Sequence, residues 1–301
     1  MSEYINRVLC VVLNTNRRVD TLRCLDSINS QVITNGEISV LVIDNQSTDG
    51  SVDYIKSFHP STVFVSTIQD AGYAGNNNFG IASHIGKYDY YFVLNEDTVL
   101  LDGCIETLVS EMETDSSVGI AGPLVLNESD ATIVQSNGGW FRPDGTSGWI
   151  DYNVTASQID SSTRVVDWIH GCSMLIRSDL FETLGGFCVD YYYTWEEVDL
   201  CLRAKNLGFY CKIVPIAKLI HRDIPAVPSW RSYYYHFRNR YFCSWAHGNR
   251  SKVLLQFTRD VVTQTLKQIL WAGRQTDSYK FRAVYDVIAR NHGKYKEGKV
   301  R

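Results

Sequence analysis

The stretch Tyr90 to Gly103, YYFVLNEDTVLLDG, carries an apolar pentad straight into Asn95-Glu96-Asp97 and then turns apolar again. Carboxylates at a strand end suit a hard divalent cation, because Mg2+ binds through one or two carboxylates while substrate phosphates complete its shell. A turn or helix cap would use the same residue types. A second acidic group, Glu196-Glu197 followed by Asp199, lies in WEEVDLCLRA. A carboxylate can take a proton from a reacting hydroxyl, but acids at a helix N-terminus are also favoured by the macrodipole. On a helix Glu196 and Asp199 share a face, and Glu197 points elsewhere.

These residues need elements to hold them. RVLCVVLNTN and ISVLVIDNQSTDGS are short β-branched runs that end in polar turns, and between them Val19, Leu22, Leu25 and Ile28 recur at helical spacing. TVFVSTIQDAG predicts a third strand, AGNNNFGIASHIG a glycine-flanked helix and YDYYFVLNED a fourth strand. Repeated β-α-β units predict a mostly parallel sheet with helices on both faces and a ligand crevice beyond the carboxyl ends of its strands. Asn14-Thr15-Asn16, Asp44-Asn45 and Asn95-Glu96-Asp97 all fall at those ends. A dinucleotide fingerprint is absent after the first strand, and GNNNFG lacks the Lys-Ser/Thr ending of a phosphate loop.

With 301 residues, 45% of them hydrophobic and 21% charged, the chain can bury at least one full core. The start, MSEYINRVLCVVLNTN, does not read as a secretory signal, and no apolar run reaches the ~20 residues of a membrane span. Eight cysteines without a C-x-x-C pair read as reduced, mostly buried thiols of a cytosolic protein. The overall charge of -4 conceals an asymmetry: Ala226 to Arg301 holds 15 Lys+Arg against 4 Asp+Glu, net +11, leaving -15 on residues 1–225. A basic region after an acidic body fits an anionic membrane surface, nucleic acid or a solvated helical face.

In order, VVLNTNR, VLVIDNQSTDGS, DAGYAGNNNFGI, YYFVLNEDTVL, GCSMLIRSDLFETLGGF, WEEVDLCLRAKNLGF and LIHR resemble a family 2 glycosyltransferase of the GT-A fold. The resemblance runs from about Val8 to Arg222, and is greatest to the rhamnosyltransferase-like enzymes of bacterial surface polysaccharides, which also tend to carry an RNR segment like Arg238-Asn239-Arg240. It implies inverting transfer of a sugar from a nucleotide diphosphate sugar, such as dTDP-rhamnose or a UDP-sugar, to a hydroxyl of a growing, lipid-linked cell-surface glycan, assisted by Mg2+ or Mn2+. Two other classes stay open at this stage: a catalytically silent carbohydrate-binding or assembly subunit, and a metal-dependent nucleotidyltransferase.

Residue by residue, the resemblance places Asp97 and His221 at the metal. It places Thr15, Asn16, Asp44, Asn45, Gly72, Gly75, Asn78 and Glu96 around the nucleotide, with Asp44 accepting from the N3-H of uracil or thymine. Glu197 stands where the family has its aspartate base, with Glu196 as fallback, and Trp195 and Asp199 face the acceptor, as does the loop GGWFRPDGTSGWIDY. After Pro228 the chain becomes WRSYYYHFRNRYFCSW and then a helical pattern through Leu254, Leu255, Val261, Val262, Leu266, Ile269 and Leu270. Interleaved aromatic and basic residues suit a lipid headgroup zone or single-stranded nucleic acid. A lipid-linked acceptor favours the membrane. The expected plan is a catalytic domain over residues 1–225 and a helical, basic region over 226–301, peripheral on the inner face of the cell membrane.

Overall fold

A computed structural model of the chain describes residues 5–67, 69–224, 229–270 and 278–295. The first half alternates strand and helix: β1 (Asn6–Asn14), α1 (Arg18–Asn29), β2 (Gly36–Asp44), α2 (Ser51–Phe58), β3 (Val63–Ser66), α3 (Gly72–Ala82) and β4 (Tyr90–Asn95). There follow β5 (Thr98–Leu100), α4 (Cys104–Thr114), β6 (Val118–Asn127), β7 (Val134–Ser136), β8 (Gly139–Phe141), β9 (Ser147–Trp149), β10 (Arg164–Val166) and β11 (Ser173–Arg177). The chain continues through α5 (Ser178–Thr183), α6 (Glu196–Asn206), β12 (Tyr210–His221), α7 (Trp230–His247), α8 (Arg250–Leu270) and α9 (Ser278–Ala289).

The sheet runs in the order β10-β12-β6-β11-β4-β1-β2-β3. β4, β1, β2 and β3 pair in parallel, as do β6 and β12, while β11 lies antiparallel between β4 and β6. Two-residue periodicity sorts the side chains of a strand between the two faces of its sheet. On one face Val8, Cys10 and Val12 pack with α1, α2 and α4; on the other Leu9 and Val11 join residues of α3, α5 and α6. Both faces of β1 are therefore covered, which is why it reads as a continuous apolar run rather than an alternating one.

The C-terminal helices have their own aromatic core, in which Tyr234, Tyr235, Phe237 and Tyr241 of α7 pack with Val253 and Ala283. Tyr192 belongs to this cluster, so α7 is joined to the loop before α6. The expected division at residues 225 and 226 lies outside the described residues. Part of the basic charge is structural rather than free: Arg238 is 1% exposed, Arg240 pairs with Asp260 and Arg282 with Asp286.

Candidate active site

The carboxyl ends of β1, β2 and β4, the start of α3 and the start of α7 surround a cavity of about 450 Å³. Its walls include Thr15, Asn45, Gly72 and Glu96, all expected there, together with Asp70, Asn76, Tyr193 and Arg231. Gly72 is required twice over. Its φ is +74°, and a Cβ would stand 2.1 Å from the Tyr192 carbonyl oxygen, to which the next amide, that of Tyr73, donates at 2.9 Å.

Several expected nucleotide ligands are placed differently. The Asn78 side chain bonds both backbone groups of Phe187, donating to its O at 2.8 Å and accepting from its N at 2.9 Å. It is a clamp between α3 and the segment before α6, and Asn76 takes its place on the cavity wall, with a buried Nδ2 that has no partner. Asp44 is 3% exposed, with one oxygen accepting from Asn14 Nδ2 at 2.8 Å and the other from Ser47 N at 3.0 Å. Asn16 accepts from Thr48 N at 2.7 Å. Both residues fasten the loops after β1 and β2 and are not among those lining the cavity. Gly75 stands one turn into α3, where a Cβ would crowd that of Ala71 at 2.6 Å.

Asp97 Oδ1 lies 3.2 Å from His221 Nε2, where β5 pairs with the end of β12. The proton positions on His221 follow from Gln135. Its Nε2 donates to the Arg222 carbonyl at 3.0 Å and to Asn127 Oδ1 at 3.1 Å, so its Oε1 must accept from His221 Nδ1 at 2.6 Å. In the neutral ring, Nε2 then turns a lone pair toward the carboxylate. Asp97 Oδ1 is buried without an aligned hydrogen bond. An oriented imidazole lone pair facing an unpartnered carboxylate oxygen is an arrangement that a shared cation satisfies, with Gln135 as the outer group that fixes the ring. The residues present therefore fit a divalent ion. Burial raises the Asp97 carboxyl, while a proton donated by His221 and positive charge on that ring, the state reached when the ring is protonated on both nitrogens, together with a backbone bond and the charge of Arg17, hold it below its usual value. Burial, followed by the charge of Asp97, pushes Glu96 up to about 7.

A second cavity, of about 330 Å³, is lined by Trp149, Trp168, Trp195, Glu197, His236 and Arg240, with the β8–β9 hairpin on its border. One loop supplies Tyr192 and Tyr193 to the first cavity and Thr194 and Trp195 to the second. Glu197 reaches the second cavity while its Oε2 is buried without a partner, and burial pushes its carboxyl up to about 7. Gly171 lies beside it, where a Cβ would approach Glu197 Cβ to 3.3 Å. Glu196 is 5% exposed and raised well above the usual carboxylate range by burial and then by the charge of Glu197.

Asp199, expected to face the acceptor, is instead bound on both oxygens. It accepts from Arg203 Nε at 2.7 Å, pairs with His247 Nε2 at 2.8 Å and accepts from Tyr191 OH at 3.3 Å. Its position on the inner face of α6 ties that helix to α7 and closes it to a ligand. Trp195 donates from Nε1 to His236 Nδ1 at 3.2 Å and keeps its place on the cavity wall.

The backbone leading into Glu196 is strained. Tyr192, Thr194 and Trp195 have φ of +64°, +61° and +77°. The strap is the RNR segment: Asn239 Nδ2 donates to the carbonyls of Tyr191, Tyr193 and Thr194 at 2.9, 2.8 and 2.9 Å, and Arg238 Nη2 to Tyr191 O at 3.0 Å. Neither this strap nor Arg231 on the first cavity was assigned a site role from sequence. The signal was WRSYYYHFRNR itself, whose basic residues read as a surface.

Residues 10–185 match the family described as Glycosyl transferase family 2. The chain belongs to this family. It is a glycosyltransferase, and the silent subunit and the nucleotidyltransferase are not favoured. Among its relatives is an N-acetylglucosaminyl-diphospho-decaprenol L-rhamnosyltransferase of Mycobacterium tuberculosis, 27% identical over 214 residues, which cover 62% of the glycosyltransferase and 67% of that relative. The rhamnosyltransferase WbbL of Escherichia coli is 28% identical over 161 residues, or 50% of this chain and 60% of that one. In fold the glycosyltransferase is similar to the mannosyltransferase PcManGT from Pyrobaculum calidifontis in complex with GDP-Man and Mn2+. The TM-score is 0.59 at 14% identity, covering 95% of this chain and 88% of that one. The glycosyltransferase has the GT-A fold, a large and mostly parallel sheet followed by helices.

Proposed function

We propose that the protein transfers a sugar, with inversion, from a nucleotide diphosphate sugar to a hydroxyl of a lipid-linked polysaccharide precursor. The observation that carries this reading is the pair of cavities either side of the 191–195 loop. One is walled by polar groups and Arg231, the other by three tryptophans and the carboxylate of Glu197, whose Oε2 has no partner. Thr15, Asn45, Asn76 and Glu96 hold the nucleotide sugar, and Asp44 sets the loops beneath it. Arg231 offers charge to the diphosphate. Asp97 and His221 would hold Mg2+ or Mn2+, which when bound supplies positive charge for the phosphate oxygens. Mn2+ is present in the mannosyltransferase structure of similar fold.

On the acceptor side, Glu197 takes the hydroxyl proton while the acceptor oxygen bonds to the anomeric carbon and the bond from that carbon to the diphosphate breaks. A carboxylate whose proton leaves near pH 7 is a suitable base at neutral pH. Trp149, Trp168 and Trp195 offer flat faces to sugar rings. Rhamnose as donor sugar, and a diphospholipid-borne N-acetylglucosamine as acceptor, are supported by the names of the two relatives.

Membrane association is part of the proposal. Leu255 is 73% exposed on α8, with Leu254, Val262 and Leu266 also exposed, and α9 exposes Phe281, Tyr285 and Ile288. An apolar face with lysines and arginines nearby suits the interface of an anionic bilayer. No described helix is long and apolar enough to cross one.

The test is transfer from dTDP-rhamnose and UDP-sugars to a synthetic lipid-diphosphate N-acetylglucosamine, with and without Mn2+. Wild type should give glycosylated lipid and nucleoside diphosphate, and Asp97→Asn should lose the Mn2+-dependent gain in donor binding. Release of pyrophosphate, or Mn2+-dependent transfer that is unchanged in Asp97→Asn, overturns the reading.

A further inference from the structure

His170 and Cys172 stand beside the proposed cation site and take no part in the transfer chemistry. They occupy the turn before β11 at H-x-C spacing. Among the described residues, His170, Cys172 and His221 each offer one ligand atom, and these atoms all lie within 4.8 Å of one another. His170 Nδ1 is 3.2 Å from Cys172 Sγ, and the His170 ring meets the His221 ring edge-on at 5.4 Å between centroids. Next to this cluster is the buried, unpartnered Oδ1 of Asp97, 3.2 Å from His221 Nε2.

Two imidazoles and a thiol differ in kind from the ligands that suit Mg2+ or Mn2+. Soft thiolate with imidazole selects zinc-class ions, which hold four ligands tetrahedrally, and zinc lies well above manganese in the order of affinities for a shared nitrogen site. We propose that His170, Cys172 and His221 bind a thiophilic divalent cation such as Zn2+, with Asp97 or a water as fourth ligand, and that its presence excludes the hard cation of the transfer reaction. The exclusion rests on the role of His221 given above; the zinc site itself does not. On binding, a Zn–S bond forms as the Cys172 thiol releases its proton to bulk water, and no electron is transferred. The enzyme thus carries, sharing His221 with its own cation, a site through which zinc inhibits it. The structural alternative is that Cys172, 1% exposed in the core, merely hydrogen-bonds His170.

Cobalt distinguishes the two. Full-length protein freed of metal by chelation is titrated with Co2+ and followed in the near ultraviolet for a thiolate-to-cobalt charge-transfer band. One band per chain, bleached stoichiometrically by Zn2+ and missing from Cys172→Ser, is the expected result. In parallel, Zn2+ should displace protein-bound Mn2+ as read by electron paramagnetic resonance, and should inhibit Mn2+-supported transfer. In Cys172→Ser and His170→Ala the inhibitory zinc concentration should rise by at least the roughly tenfold that even an outer-shell ligand change costs. No band in wild type, or a band that survives Cys172→Ser, overturns the site. A Cys172-dependent band with Mn2+ still bound overturns the exclusion. If transfer proves independent of Mn2+, the cation role of Asp97 and His221 fails while the cobalt band still reads the zinc site.

Discussion

Asn239→Ala cuts the strap that holds the strained loop before α6. The change removes donors from the carbonyls of Tyr191, Tyr193 and Thr194, but Arg238 Nη2 still reaches Tyr191 O at 3.0 Å, so two acceptors are orphaned. A buried acceptor left unpaired costs about 1–3 kcal/mol, and about 2–3 kcal/mol for the two is the reasonable figure because water can reach these partly buried sites. Each left-handed residue at Tyr192, Thr194 and Trp195 stores a further ~1–3 kcal/mol that is released if the loop relaxes. A domain stable by roughly 5–15 kcal/mol survives the first loss and remains folded, with a lower Tm. The relaxation moves Trp195 and with it the start of α6. If about 1.4–2.8 kcal/mol of transition-state positioning goes with it, kcat falls roughly 10- to 100-fold. Calorimetry gives Tm and steady-state kinetics kcat, while the pH profile tests the cause. Glu197 owes its raised carboxyl to burial, so a displaced loop should hydrate it and move the midpoint of the pH–rate curve below the parent's, toward the ordinary 4.5. A variant with lowered Tm but the parent's kcat and pH midpoint would refute the positioning argument.

Glu197→Gln keeps the size of the side chain and removes its basicity, so transfer should fall by about 10²–10⁴-fold with donor affinity nearly unchanged. Normal transfer in Glu197→Gln with a dead Glu196→Gln would move the base one residue back. In wild type, transfer should rise with pH and level off above about 7, because the base acts only when deprotonated. The sign for stability is opposite: a carboxyl raised from 4.5 to about 7 binds more protons folded than unfolded, so stability contributed at low pH is lost as pH climbs through that window. Thermal melts should show a smaller loss across it in Glu197→Gln than in wild type, and an equal loss would refute the burial argument. Arg231→Ala should raise the donor KM about tenfold, the ~1.4 kcal/mol expected of one partly exposed charge-assisted bond, and an unchanged KM removes Arg231 from the diphosphate. Vesicles rich in anionic lipid should bind the protein less as salt rises, and less again after Leu255→Ser with Val262→Ser. These substitutions leave α7 in place, whereas removal of the region would also remove the strap; sedimentation with vesicles that ignores both salt and the two serines counts against a membrane face.

The sequence by itself determined the sheet and the rim. Short, continuous β-branched runs in doubly covered strands and 3.6-residue spacing in the helices are local signals, so the β-α-β plan and the polar strand ends at Thr15, Asn45 and Glu96 were legible before any contact was known. The order of motifs added the family. Tertiary structure alone decided which polar groups are free. Asp44, Asn78 and Asp199 carry the same chemistry as the residues that line the cavities, yet each is consumed by partners 3 to 109 positions away in the chain. Hydrogen-bond competition of this kind has no local signature. The same holds for the basic C-terminal region, where Arg238 and Asn239 face inward to the carbonyls of a strained loop 45 to 48 residues earlier. Composition counted Arg238 as surface charge; only the burial of both residues against the loop before α6 made them part of the site.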